Sequence, residues 1–149
     1  MATIKRFEDL ESWQLARKFN QWLFATFQHT QLGSDYALRN QIDRSAGSIM
    51  DNIAEGFERS GNREFVQFLS TAKGSCGETR SQLYRVLDRN YISEQSFNEQ
   101  KLELESISSK ISGLMNYLKS NENKGWKFSE SESNYATREA FEAEDNLEP

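Results

Sequence analysis

The stretch NQIDRSAGSIMDNIAEGFERSGNREFVQF, residues Asn40–Phe68, decides the fold of this chain. On a helical wheel of about 100° per residue, Ile42, Ala46, Ile49 and Ile53 share one face. This spacing predicts an amphipathic helix over the first half of the stretch. The rest of the sequence supplies two outer helices and a polar tail around this centre.

A break in the pattern follows the apolar face of this helix. Gly56 and the polar run at residues 58–62 predict the end of the helix and a turn, because glycine and small polar residues end helices. A second helix then begins at Glu64. The stretch therefore predicts a helical hairpin.

Amphipathic patterns on both sides of the hairpin complete the set of helices. Their predicted ranges are Phe7–Phe27, Tyr36–Phe57, Glu64–Arg89 and a fourth helix ending near Lys119. We expect Asp9 or Ser12 to cap the first helix, Ser34 or Asp35 the second, and Ser93 or Ser96 the fourth. Short connections between long helices favour antiparallel neighbours. The predicted fold is therefore all-α, an antiparallel up-down-up-down four-helix bundle.

Charge divides the chain into two parts, which we predict to be a bundle domain at residues 1–119 and an acidic tail at residues 120–149. Residues 1–120 carry 15 basic and 15 acidic side chains, whereas residues 121–149 carry 3 basic and 8 acidic ones. Aromatic residues spaced through the tail could anchor it onto the bundle or onto a partner. These predicted tail anchors are Trp126, Phe128, Tyr135 and Phe141.

Several classes of enzyme need residues that this sequence lacks. There is one histidine, His29, and one cysteine, Cys76, so a di-iron site, a Cys/His zinc site and a Cys–His or Ser–His pair are disfavoured. We find no phosphate-binding glycine-rich loop. We therefore expect no enzymatic activity, no metal and no cofactor. We see no signal sequence or membrane-spanning run, and expect a soluble cytoplasmic protein with no membrane partner.

Polar and small residues on the outer sides of the predicted helices are candidate contacts between subunits. Glycine inside a helix costs about 1 kcal/mol relative to alanine, so two glycines on the outer face of the third helix call for close approach of another backbone. A second apolar strip on the first helix is either a wide core contact or a further subunit contact. The predicted interface residues are Arg44, Ser48, Asp51, Glu55, Ser70, Gly74, Gly77, Ser81, Leu15, Phe19 and Trp22.

Basic residues of the third helix and the turn before it form a candidate strip for binding nucleic acid. They are Arg59, Arg63, Lys73, Arg80, Arg85 and Arg89. A neutral bundle argues against strong nonspecific binding to nucleic acid, so a solvated charged face is the competing interpretation.

The segments FEDLESWQLARKF, QIDRSAGSIMDNIAEGFERSGNREFVQFL and AKGSCGETRSQLYRV resemble the family of proteins encoded in intervening sequences of bacterial 23S rRNA genes. The resemblance implies a four-helix bundle that assembles into a homopentameric ring. It also implies a relation to accessory variability proteins of diversity-generating retroelements, which bind a reverse transcriptase and RNA. This chain departs from the pattern at Asp43, where a second basic residue is common, at Gly61, where serine is common, and in its long acidic tail.

Three functions remain open at this stage. The first is a homo-oligomeric adaptor in a ribonucleoprotein or protein assembly, with copies of itself as partners. The second is an RNA-binding accessory protein, such as a reverse-transcriptase partner. The third is recruitment of a separate effector protein through residues 121–149.

Overall fold

The computed structural model describes residues 4–121, and every regular element in that range is helical. The four α-helices are α1 (Glu11–His29), α2 (Tyr36–Glu58), α3 (Asn62–Asp88) and α4 (Glu94–Ser120). Short 3₁₀ turns precede α1 at residues 7–9 and α2 at residues 31–34. The predicted all-α four-helix bundle is confirmed.

Contacts between helices show that neighbours along the chain run antiparallel. Asn20 on α1 donates to the Ala46 carbonyl on α2 (3.0 Å), and the Arg39 guanidinium of α2 lies 5.7 Å from the Phe27 ring of α1. Along this pair of helices, residue numbers increase in one helix as they decrease in the other. The same reversal holds for the other packed helices. Ser45–Gln82 and Ser48–Ser75 join α2 to α3, and Tyr84–Phe97 and Lys73–Ser112 join α3 to α4. Between α1 and α4, Trp22 and Ser96 line one groove and Glu11 pairs with Lys110.

A continuous apolar core fills the space between the four helices. The predicted stripe of α2 is fully buried, with Ile42, Ala46, Ile49 and Ile53 all at 0% exposure. Removing each large aliphatic side chain from water stabilises the fold by roughly 1.5–3 kcal/mol. Because the apolar faces all point inward, the outer faces are left to polar and small residues.

The helix caps match the sequence-based expectation for two of the three helices for which they were predicted. Asp35 accepts from the Leu38 amide (3.5 Å) at the start of α2, and Ser93 accepts from the Ser96 amide (3.1 Å) at the start of α4. The capping prediction for α1 is wrong. Leu10, fully buried and in an extended backbone conformation, separates the first turn from α1, and no side chain caps the helix.

Gly56 does not stop α2, which corrects the sequence-based prediction. The helix continues to Glu58 and Gly56 is buried within it. A Cβ atom at this position would lie 2.6 Å from the Phe68 Cβ and 3.0 Å from the Phe65 Cδ1. Glycine is therefore needed here because α3 approaches closely. The helix α3 begins at residue 62, two residues before the predicted start.

We predict that Gly56→Ala destabilises the fold by about 1–3 kcal/mol, because the added methyl group overlaps two packed aromatic side chains. Gly47→Ala is the matched control, since a Cβ at Gly47 has nothing within 4 Å. That change should stabilise α2 by up to about 1 kcal/mol through helix propensity. Urea unfolding followed by circular dichroism measures both effects. Equal midpoints for the two variants would contradict the close-approach account.

Candidate functional site

A buried polar seam runs between α2 and α3, and we define it as Ser45, Ser75, Thr79 and Gln82. The Ser45 hydroxyl donates to the Gln82 side-chain oxygen (2.6 Å), and the Thr79 hydroxyl donates to the Ser45 hydroxyl oxygen (2.9 Å). All four residues are at most 8% exposed. Hydrogen bonds satisfy the polar groups, so the seam fixes the register of the two helices more than it adds stability.

Ser48, predicted to contact another subunit, is engaged inside the chain. Its hydroxyl lies 2.9 Å from the Ser75 hydroxyl and accepts from the Asn52 amide at 2.9 Å. Ser48 therefore helps to join α2 to α3 along the outer edge of the polar seam.

The charged residues predicted beside Ser48 lie on the outer side of α2. Arg44, Asp51 and Glu55 are all exposed. Glu55 forms an i,i+4 ion pair with Arg59 (2.9 Å), whereas Arg44 and Asp51 take part in no ion pair within residues 4–121. Arg44 lies between Gln41 and Ser48 on the helix surface, and both of these residues bond to α3. Its side chain therefore borders the outer groove between α2 and α3.

The small residues predicted on the outer face of α3 are exposed to solvent. They are Ser70, Gly74, Gly77 and Ser81. A Cβ atom added at Gly74 or Gly77 would have nothing within 4 Å. Unlike Gly56, these two glycines have no reason in the packing of the bundle itself.

The second apolar strip of α1 divides between the core and the surface. Phe19 is 2% exposed and belongs to the core, which favours the wide core contact over a subunit contact at that position. Leu15 and Trp22 are only partly buried. Together with His29, Ile92 and Ser96, Trp22 lines a surface groove of about 340 Å³. The groove lies between the C-terminal part of α1 and the start of α4.

The predicted basic residues do not form one strip, because they contact different neighbours. Arg80 is ion-paired with Glu105 of α4, and the Lys73 ammonium donates to Ser112 of α4 (2.7 Å). Arg85 donates to Gln41 on α2 (2.8 Å), on a different side of α3. Arg59 and Arg89 are ion-paired with Glu55 and Asp35, and Arg63 is exposed.

A charged cluster of Asp35, Arg89 and Tyr91 ties two loops together at one end of the bundle. Asp35 accepts from the Arg89 guanidinium and from the Tyr91 hydroxyl (2.8 Å). The hydrogen bond from Arg89 is the main cause that lowers the pKa of Asp35, and the bond to Asp35 raises the pKa of Tyr91. Asn90, in a left-handed conformation (φ 59°) that asparagine tolerates, turns the chain between the two donors. The sequence identified Asp35 only as a cap, since its partners lie more than 50 positions away.

The remaining reactive groups give little chemistry in the described part of the chain. Cys76 is 2% exposed, and burial raises the pKa of its thiol to about 12. Residues 4–121 hold no cluster of three or more His, Cys, Asp or Glu side chains arranged to bind a metal ion. In the same range, none of the helices combines the length and apolar character needed to span a membrane. The predicted tail anchors Trp126, Phe128, Tyr135 and Phe141 lie outside the described residues.

Two comparisons with known proteins give matches. Residues 8–113 match the model of the family described as 23S rRNA-intervening sequence protein. A crystal structure from Bacteroides thetaiotaomicron VPI-5482, described as a protein with unknown function from the S23 ribosomal protein family, aligns with a TM-score of 0.64 at 18% identity. The alignment covers 70% of this chain and 97% of that chain, and it supports the fold alone. No protein with a curated description matches the sequence significantly.

We predict that Asp35→Asn lowers the melting temperature at pH 7, because asparagine keeps the helix cap but loses the ion pair with Arg89. The folded state lowers the pKa of Asp35 below the ordinary 3.8, so the contribution of Asp35 is complete above that pH. It is lost as the pH falls through the lowered folded-state value. The gap between wild type and variant should therefore close at acid pH.

Asp43→Asn is the control for this prediction, since Asp43 is exposed on the same helix and forms no ion pair among the described residues. Its melting curve should follow the wild type at each pH. Thermal unfolding from pH 2 to 7 measures all three proteins. A gap for Asp35→Asn that is the same at every pH would contradict the linkage.

Proposed function

Since residues 8–113 match its family model, this chain belongs to the 23S rRNA-intervening sequence protein family, and we propose that it acts as a non-catalytic adaptor that assembles with copies of itself. The observation that carries the proposal is the empty surroundings of Gly74 and Gly77 on α3. Each glycine costs the helix about 1 kcal/mol relative to alanine. A second backbone lying against this face would account for that cost.

The contrast with Gly56 strengthens this argument. At Gly56 the side chains of Phe65 and Phe68 occupy the space that a Cβ atom would need. At Gly74 and Gly77, residues 4–121 leave this space open. Small residues that let two helices approach closely are typical of tight helix packing, and here the second helix would come from another copy.

An adaptor fits the chemistry of the bundle better than an enzyme does. The single cysteine is buried with a raised pKa, and His29 lies at the exposed end of α1. The polar groups of the seam are satisfied by hydrogen bonds, and the seam lies between α2 and α3 rather than in a cleft. What the outside of the bundle offers is a set of helix faces for docking. The family resemblance implies a closed ring of five subunits, and we propose that form of assembly.

Binding of RNA, alone or beside a reverse transcriptase, stays a prediction based on the resemblance to retroelement accessory proteins. It has less support than self-assembly, because Arg59, Arg80 and Arg89 are already ion-paired and the other basic residues point to different sides.

A gel shift with structured RNA, run in low and high salt, tests this second function. Phosphate contacts predict that binding weakens steeply as the salt concentration rises. Absence of a shift in low salt, or a shift that salt does not change, would contradict it.

We predict that Gly74→Leu dissociates the assembly while leaving the bundle folded. A Cβ atom at this position meets none of residues 4–121, but the larger side chain would keep a neighbouring helix away. Light scattering after size exclusion should give the monomer mass of 17.3 kDa for the variant and a multiple of it for wild type.

Asn98→Leu is the matched control, because Asn98 is an exposed position on α4 that the proposal does not place in a contact. It should assemble like the wild type. If Gly74→Leu and Asn98→Leu have the same mass as the wild type, the outer face of α3 is not the contact.

A further inference from the structure

We propose that copies of this chain join head to tail, with arginines on the α2–α3 side of one copy seated on the Trp22 groove and the carboxylates of the α1–α4 side of the next. The inference rests on the proposed self-assembly and names the surfaces and charges that carry it. In the bundle, α1 packs on α2 and α4, and α3 packs on the same two helices. The α2–α3 side and the α1–α4 side are therefore opposite faces of one chain.

The α2–α3 side presents two exposed arginines that form no ion pair among the described residues. Arg44 is exposed and forms no ion pair within residues 4–121. Arg85 is exposed and, within residues 4–121, its partner is the neutral Gln41 side chain (2.8 Å). The nearby carboxylate of Glu78 is engaged by the Gln82 amide (3.2 Å). Arg44 and Arg85 therefore place two cations on this side, beside the carboxylate of Glu78, which keeps its negative charge.

The α1–α4 side presents the opposite charge beside an aromatic groove. Glu99 and Glu103 lie one turn apart on α4, and neither is ion-paired among the described residues. They continue along α4 from Ser96, which lines the groove with Trp22, to Lys110, which pairs with Glu11 of α1 (3.4 Å). Both carboxylates therefore border α1.

Lys18 on α1 lies between Leu15 and Trp22 and shares this side of the bundle with the two carboxylates. It forms no ion pair with either one. A guanidinium placed over a tryptophan ring and next to carboxylates gains from both contacts, because the ring face and the carboxylates are negative.

The two sides match in level along the bundle. One layer runs around all four helices through the contacts Asn20–Ala46, Ser45–Gln82 and Tyr84–Phe97 and through Trp22 and Ser96, which line the same groove. Arg44 and Arg85 are adjacent to this layer, and Glu99 and Glu103 lie within about two helical turns of it.

A contact between different surfaces at the same level has no rise along the bundle axis. Heterologous contacts close into rings only when they have no such rise, and otherwise they build filaments. Because Arg44 is adjacent to this layer and Glu99 lies within one helical turn of it, a pairing of these two residues has little rise and suits a closed assembly.

Charge reversal tests the pairing through the mass of the assembly. Arg44→Glu with Arg85→Glu should reduce the wild-type assembly to the 17.3 kDa monomer, and so should Glu99→Arg with Glu103→Arg. A chain that carries all four changes restores opposite charges at every junction, so it should regain the assembled mass. Circular dichroism should show that each variant keeps its helices.

Each result of this experiment has a distinct meaning. The proposed pairing is wrong if both double variants still assemble, or if the fourfold variant is folded but monomeric. Neither result would contradict self-assembly itself. A monomeric wild type would overturn the proposed function as well.

A cysteine pair gives an independent test that does not depend on reversed charges. With Arg44→Cys and Glu99→Cys in one chain, oxidised glutathione should link copies into a ladder on a non-reducing gel. The two positions lie on opposite faces, so they cannot join within one chain, since bridged Cα atoms lie less than about 7 Å apart. Cys76 is buried and should not interfere.

In the control, Arg44→Cys with Asn98→Cys, the second thiol points away from α1. The proposal is wrong if the two cysteine pairs give equal ladders, or if Arg44→Cys with Glu99→Cys gives no ladder.

Discussion

The close approach of α2 and α3 is the constraint on which the rest of this structure depends. Gly56 is packed so tightly against Phe65 and Phe68 that a methyl group has no room. Further along the same pair, serine, threonine and glutamine side chains meet in the polar seam. Small side chains allow the backbones to approach, and the hydrogen bonds between them allow only one register. The two outer helices then cover the remaining apolar faces of this hairpin.

This arrangement also determines what the surface can do. Because the apolar stripes and the buried polar groups are used within the bundle, they are not available to bind a substrate. The outside keeps exposed glycines, unpaired charges and the partly covered ring of Trp22. These features suit contacts between rigid helices better than they suit chemistry. Self-assembly is the function that we propose from these features, with the family resemblance as the source of the proposed ring size.

Much of the fold could be predicted from sequence, since the helical periodicity of residues such as Ile42 and Leu83 reports directly which face is buried. The ends of helices were harder to predict. Gly56 has the usual signature of a helix end, but its true role depends on aromatic side chains that lie nine and twelve positions later. Leu10 displaced the expected polar caps because its side chain was needed in the core.

The cluster around Asp35 escaped prediction, because its partners are adjacent only after folding. Candidate contacts on the outer face could be located by periodicity, but pairing inside the chain, as at Ser48 and Arg80, becomes visible only in the structure.

Sedimentation equilibrium of the unaltered full chain, followed on dilution into the micromolar range, tests the central claim most directly. The account predicts a single species whose mass is a whole-number multiple of 17.3 kDa. A homogeneous 17.3 kDa particle at every concentration would show that the outer helix faces are merely solvated, and would contradict the account.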